Sequence, residues 1–380
     1  MHHNKLFIII SIILLFSITA AGCGRSDFDK RVDSIVKADR FSLFKWEVGA
    51  IASEIRQSIL IHESTDRSDL VIDYFNAIQQ GETTTAGGTP VSQLRPRVEK
   101  IIQAQVRDVI SELGIKNPGG NFLGVHFPPL CFVLSQPPDL LVISPRDKIE
   151  ILNEERLQPD LTAAQMESIE SQTEQLGVSA LVTELGGMGT FPAFVSSDAA
   201  LPDVLNDAAH EWVHQYLAFK PLGFRYVLDL LGISPNYDIV TINETVVGMF
   251  GDEVGELVYE KYYADYRNPA ATPGGTPAFD FNTAMRNIRL NVDSLLAQGN
   301  VDEAEQYMEN QRQFLQTKGY YIRKLNQAYF AFNGTYASEP TSVSPIGTKL
   351  KEIRDEKPSL KAFMDSVSGI TSLGELNKLE

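Results

Sequence analysis

Residues His210-Glu211-Trp212-Val213-His214 read H-E-x-x-H, and no other stretch constrains this chain as tightly. On a helix, residues four apart share a face, so the two imidazoles converge on one point while Glu211 stands at its rim. Two imidazoles on a metal, beside a carboxylate able to take a proton from water, are the parts of a zinc hydrolase. The flanks suit a helix. Asp198 to Ala209 reads as its start, with Pro202 near the first turn and Asp203 favouring the positive end of the dipole. Ala208, Ala209, Trp212, Val213, Tyr216 and Leu217 make it mostly apolar, and therefore buried. Histidine and glutamate set into a core are costly unless hydrogen-bonded or bound to metal. The competing reading is a pair of satisfied core histidines.

A third ligand follows by elimination. The chain holds six histidines, of which His2 and His3 lie in the N-terminal segment. A metzincin pattern needs another histidine six residues after His214, but Lys220 stands there, and Leu217 replaces the intervening glycine. His62 and His126 are both upstream, which favours a downstream carboxylate. The best candidate is Glu244, in Asn243-Glu244-Thr245-Val246-Val247-Gly248. If this segment is helical, Gly248, Gly251 and Gly255 share a stripe with Glu244. Each glycine costs a helix about 1 kcal/mol, so the stripe implies close approach to another element, expected to be the His210–His214 helix. Asp252 and Glu253 lie off the stripe and are weaker candidates; Asp252 could orient a ligand imidazole from behind. The alternative for Glu244 is a role as a helix cap.

H-E-x-x-H followed by a downstream Asn-Glu pair resembles the gluzincin zinc metallopeptidases, the group of thermolysin and aminopeptidase N. The chain is more closely similar to the bacterial predicted aminopeptidases, in which His-Glu-x-x-His-Gln precedes an Asn-Glu helix; here those are His210 to Gln215 and Asn243-Glu244. The likeness spans about residues 180–370. It implies Zn²⁺ on His210, His214 and Glu244, Glu211 as general base, and a peptide or protein substrate. It also implies a substrate-binding edge strand in Leu185 to Val195, where Pro192 suits an edge, and an oxyanion-stabilising Tyr or His. Tyr320, Tyr321, Arg323, Tyr329 and Tyr336 are the candidates for that last role, with no single choice among them. Two features depart from the pattern. Twenty-nine residues separate His214 from Glu244, with an extra helix or loop expected in Lys220 to Tyr237. The Gly186–Thr190 run lacks the glutamate with which an aminopeptidase holds a free amine; Glu184 is the nearby substitute, and aminopeptidase and endopeptidase both stay open.

The N-terminus points to a compartment. Lys5, the apolar run Leu6–Ile18 and then Ala20-Ala21-Gly22-Cys23 read as a secretory signal, too short for a membrane span. Cysteine directly after Gly22 makes it similar to a bacterial lipoprotein signal, with Cys23 lipidated and the protein held at the cell envelope outside the cytoplasm. Cys131 then has no intramolecular disulfide partner and packs as a small hydrophobe. With 33 basic against 49 acidic residues and a net charge of −16, nucleic acid and anionic membrane surfaces are disfavoured as partners. Membrane attachment comes from the lipid.

These signals imply an α+β, predominantly helical, gluzincin-like fold. Residues 1–22 are the signal and 23–119 a helical region, with periodicity at Val98, Ile101, Ile102, Val106 and Ile110. Residues 120–266 carry the zinc region, 267–281 a Pro-Gly-Gly loop, and 282–380 a helical region broken at Gly334, Pro340 and Pro345. Within the zinc region, Phe127–Leu134 and Leu140–Ser144 read as extended and Glu154–Leu176 as helical. A zinc protein without catalysis, serving as a binding or structural module, is the competing function. Because thioether acylation needs a sulfur, Cys23→Ser should abolish lipid labelling and release the protein from membranes; retention without label would point to an uncleaved apolar anchor.

Overall fold

The computed structural model describes residues 26–43, 45–46, 49–50, 63–116, 128–266, 279–337 and 339–379. Cys23 and the signal, His62, His126 and most of the 267–281 loop lie outside them. Among the described residues, no helix is long and apolar enough to cross a membrane. The architecture is mixed α+β with helices dominant.

Among the described residues, α1 (Asp27–Val36), α2 (Ser68–Gln79) and α3 (Val91–Glu112) lie in the N-terminal part. Then follow β1 (Phe132–Leu134), β2 (Asp139–Pro145), β3 (Asn153–Leu157), α4 (Ala163–Glu174) and β4 (Val178–Thr183). Strands β3, β2 and β4 form one antiparallel sheet in that order. Its period-2 pattern separates two cores. Leu141, Ile143, Ala180 and Val182 face Val32 and Val36 of α1 and Met166 and Ile169 of α4. Leu140, Val142 and Leu181 face the opposite side. The expected helix from Glu154 is corrected here: residues 153–157 pair with β2 as an edge strand, alternating half-exposed and exposed, and the helix begins only at Ala163 behind the Thr162 cap. Charge in a short run misled the sequence reading, because an edge strand tolerates polar residues as readily as a helix does.

A second sheet, ordered β1–β6–β5, holds β5 (Gly187–Met188) and β6 (Ala193–Val195). Pro192 therefore precedes the central strand β6, and the free edge belongs to β5. Three helices follow: α5 (Leu201–Leu217), α6 (Pro221–Leu230) and α7 (Tyr237–Tyr263). Helix α5 starts three residues later than Asp198, with Pro202 and Asp203 in its first turn. Its apolar face, including Val204, Leu205, Ala208, Trp212 and Val213, enters the main core with Val98, Ile102, Ile242, Val246 and Phe250. The insert between the two motif segments is α6.

The C-terminal third comprises α8 (Phe281–Ala297), α9 (Val301–Thr317), α10 (Gln327–Asn333), α11 (Ile346–Glu356), α12 (Leu360–Val367) and α13 (Leu373–Leu376). Helix α10 lays Ala328 against the second face of the β3–β2–β4 sheet. Arg323, just before it, donates to the buried Glu170 at 3.0 Å, and Glu170 also accepts from the Val182 amide at 2.7 Å. This pair, of an exposed arginine and a buried glutamate, ties the C-terminal third to α4 and β4 and gives Arg323 a partner away from His210 and His214.

Asp139 opens β2 almost fully buried and accepts the Leu161 amide at 3.2 Å. Burial first, then Glu184 and Asp160, push its carboxyl up to about 6. A folded-state value above the unfolded one favours the fold at low pH, and that contribution fades as pH rises from about 4 through 6. Asp139→Asn keeps a carbonyl for Leu161 and removes the titration. Its Tm should therefore depend less on pH across that window than wild type, as read by thermal melts at pH 4 to 7.

Candidate metal centre

Two antiparallel contacts between α5 and α7 set the geometry. A Cβ on Gly251 would stand 3.0 Å from the Asn206 carbonyl oxygen and 3.1 Å from His210 Cβ; one on Gly255 would stand 2.9 Å from the Asn206 amide. Only glycine allows this approach. The expected neighbour is thus found for both residues. Gly248, the first of the stripe, is different: a Cβ there would meet nothing within 4 Å.

The approach brings Glu244 to the histidines. His210 Nε2 and His214 Nε2 lie 3.2 Å apart, and Glu244 Oε2 is 3.8 and 3.6 Å from them. Tetrahedral zinc with bonds near 2.0–2.1 Å separates its ligand atoms by roughly 3.3–3.4 Å, so these three atoms sit close to the corners such an ion needs. Glu244 Oε2 is buried with no hydrogen-bond partner, as is His214 Nδ1. An orphaned carboxylate oxygen between two imidazoles is costly in an apolar setting and satisfied by a cation. The residues fit a metal ion.

Protonation follows from the same proximity. Burial, then His214, hold the His210 imidazole down to about 4, so it is neutral. Burial opposes ionisation of Glu244, but His214, His210 and the Tyr226 hydroxyl overcome it and hold the carboxyl down to about 2. His214 is raised: burial disfavours its charge, and Glu244 more than compensates. A proton on His214 therefore competes with a metal ion for the site. Burial, then Asp207 and Glu244 against the opposing His214, push Glu211 up to about 8. A nearby cation favours its ionised form.

Strand β5 runs along α5. Gly186 lies over Asp207, Gly187 directly on the Glu211 carboxylate, and Gly189 against both Glu211 and His214. Gln215 donates to the Thr190 carbonyl at 2.6 Å and fixes the turn after β5. Gly187 thus has a steric cause that the sequence did not reveal: a side chain there would displace the Glu211 carboxylate.

Two tyrosines complete the walls. Tyr226, on α6, donates to Glu244 Oε1 at 2.6 Å and stacks on the His214 ring, centroids 5.3 Å apart. Sequence reasoning missed it because a lone Tyr in an insert carries no spacing signal. Tyr336 is brought in by the Ala337 amide donating to Thr245 Oγ1 at 3.0 Å; its ring lies 6.4 Å from His210. Of Tyr320, Tyr321, Tyr329 and Tyr336 it alone reaches the site. Tyr320 stacks on Phe281, Tyr321 is 80% exposed, and Tyr329 packs between the C-terminal cores. Glu184 lies near enough to Asp139 to raise its carboxyl, after the larger effect of burial. The carboxylate that does approach is Glu154, solvent-exposed on the edge strand β3, whose charge raises Tyr226 and Tyr336. Asp252 accepts from Asn206 Nδ2 at 3.3 Å and is not the residue behind His214. That position belongs to Asn243, whose buried amide favours protonated His214 although neither amide atom has a partner at hydrogen-bond distance.

Comparison of the chain with protein-family models, with curated proteins and with solved structures finds no match.

The full chain should bind one Zn²⁺, measured by chelator competition. Glu244→Ala should weaken binding strongly, through loss of the carboxylate that faces both imidazoles. Asp252→Ala should leave affinity unchanged; a loss equal to that of Glu244→Ala would reassign the third ligand.

Proposed function

We propose that this chain is a gluzincin-like zinc metallopeptidase, held at the bacterial cell envelope by lipid on Cys23 and acting on peptide or protein substrates outside the cytoplasm. The observation that carries this reading is the convergence of His210, His214 and Glu244 on one point, with Glu211 beside it beneath a free strand edge. Bound there, zinc supplies Lewis acidity toward a carbonyl oxygen and toward water. A structural zinc site closes with four protein ligands; three gather among the described residues, which favours the open, catalytic kind.

The chain's own groups have distinct parts in the reaction. Among the described residues strand β5 pairs only with β6, so its other edge can hold an extended peptide by backbone hydrogen bonds. A peptide so placed passes over Glu211. Ionised Glu211 takes a proton from water as the oxygen attacks the scissile carbonyl carbon, then delivers that proton to the departing amine nitrogen. Tyr226 is engaged with Glu244 and holds that carboxylate in place. The Tyr336 hydroxyl, kept neutral by Glu244 and by burial, is the donor available to charge developing on the carbonyl oxygen.

Glu211→Gln keeps the side chain's size and removes the base. Zinc content should stay at one per chain while peptide turnover falls by about 10²–10⁴. A variant as fast as wild type, or a wild type inert toward a mixed peptide library, would favour the binding-module reading.

A further inference from the structure

A cavity of about 550 Å³ opens between one face of α9, the segment that leads into α10, and the end of the β3–β2–β4 sheet where Val178 pairs with Pro145. Its volume falls in the range of small-molecule sites, roughly 300–1,000 Å³. None of the residues that line it is a ligand of the metal centre.

At one end lies an acceptor without a donor. Gln327 is 1% exposed, and its Nε2 donates to the Arg146 carbonyl at 2.7 Å and to Glu305 Oε1 at 3.2 Å. Both partners only accept, which fixes the amide, because turning it over would set Oε1 against two acceptors. Gln327 Oε1 is buried and has no hydrogen-bond partner. A buried carbonyl oxygen left unpaired calls for a donor. The Glu305 carboxylate beside it, which already accepts from Arg146 Nε at 2.8 Å, favours a donor that carries positive charge.

Arg312 lines the cavity two turns further along α9. Glu309 takes two of its five N–H groups, and the others have no partner among the described residues. A guanidinium with N–H groups to spare suits a carboxylate. The other cations on the rim are engaged: Arg146 with Glu305, Arg323 with Glu170, and Lys324 with Glu174. Met308, which lies between Glu305 and Arg312 on the same helix, is buried and apolar, as are Leu325 and Val178.

The spacing of the two ends sets the length of what fits. Seven residues of helix advance about 10.5 Å, and an extended chain advances about 3.3–3.6 Å per residue. A free amino acid holds its two charges too close together to serve both ends; about three residues match the span. We infer that this cavity binds a short peptide with both termini free, its ammonium at Gln327 and Glu305, its carboxylate at Arg312 and its middle side chain against Met308. The site stands apart from the metal centre and does not rest on the peptidase reading.

The probe is alanyl-leucyl-alanine, titrated by calorimetry into the full chain held metal-free by chelator, so that neither binding nor cleavage at the metal centre contributes. One peptide should bind per chain. Acetylating its N-terminus or amidating its C-terminus should each weaken binding by about 10–100-fold, the loss of one charge-assisted contact. Free leucine should also bind more weakly. Arg312→Gln, a change on the half-buried rim, should bring the free peptide down to the affinity of its amide and leave the amide unaffected. Glu305→Gln should likewise erase the preference for a free N-terminus. Equal affinity for the free, acetylated and amidated peptides, wild-type affinity in Arg312→Gln, or no binding at millimolar peptide overturns the assignment. A preference for the free C-terminus alone does so too, because the cavity would then be a site for anions. Leucine binding as tightly as the tripeptide would refute the span.

Discussion

Close approach of α5 and α7 is the constraint on which the rest depends. Gly251 and Gly255 let the helix backbones meet where any side chain would strike Asn206 or His210. That contact is non-directional in energy but decisive in position. It fixes where Glu244 emerges, and so whether one carboxylate oxygen can face two imidazoles 3.2 Å apart. The apolar faces behind it, Val204, Leu205, Val213, Ile242, Val246 and Phe250, hold the pair together by burial. Ligand geometry is thus set by core packing rather than by the ligands, which repel or attract one another only after the fold has placed them.

The same packing explains the electrostatics. Glu244 is held low chiefly by His214 against the cost of burial and His214 is raised by Glu244, while burial first and His214 second lower the other histidine. Tyr226 adds a hydrogen bond to the oxygen of Glu244 that faces away from the imidazoles. Glu211, one residue from His210, lies beneath β5 and is coupled to His214 and Glu244 through charge. A division between carboxylates that hold and a carboxylate that can exchange a proton is built from two turns of helix and one strand.

Much of this was legible in the sequence, and what was not has identifiable physical causes. His210, Glu211, His214 and Glu244 follow from helical spacing and a short list of alternatives, and spacing of that kind survives folding. The glycine stripe pointed to the right neighbour but concealed that Gly248 differs from Gly251 and Gly255, since periodicity says which face a residue occupies and not what covers it. Glu154 reads as helical because its neighbours are charged; only the pairing with β2 makes it a strand. Tyr226 and Asn243 owe their roles to contacts between elements, and Tyr336 could not be separated from its aromatic neighbours until the Ala337–Thr245 hydrogen bond was known. Cross-element contacts leave no trace in a local window.

That hydrogen bond joins residues 92 positions apart in the chain. Glu211, the two histidines and Glu244 are all synthesised well before Tyr336 leaves the ribosome. A chain growing from its N-terminus therefore carries a complete ligand set before it carries the wall that closes one side of it. During that interval the pocket formed by His210, His214 and Glu244 is open on the side that Tyr336 later occupies.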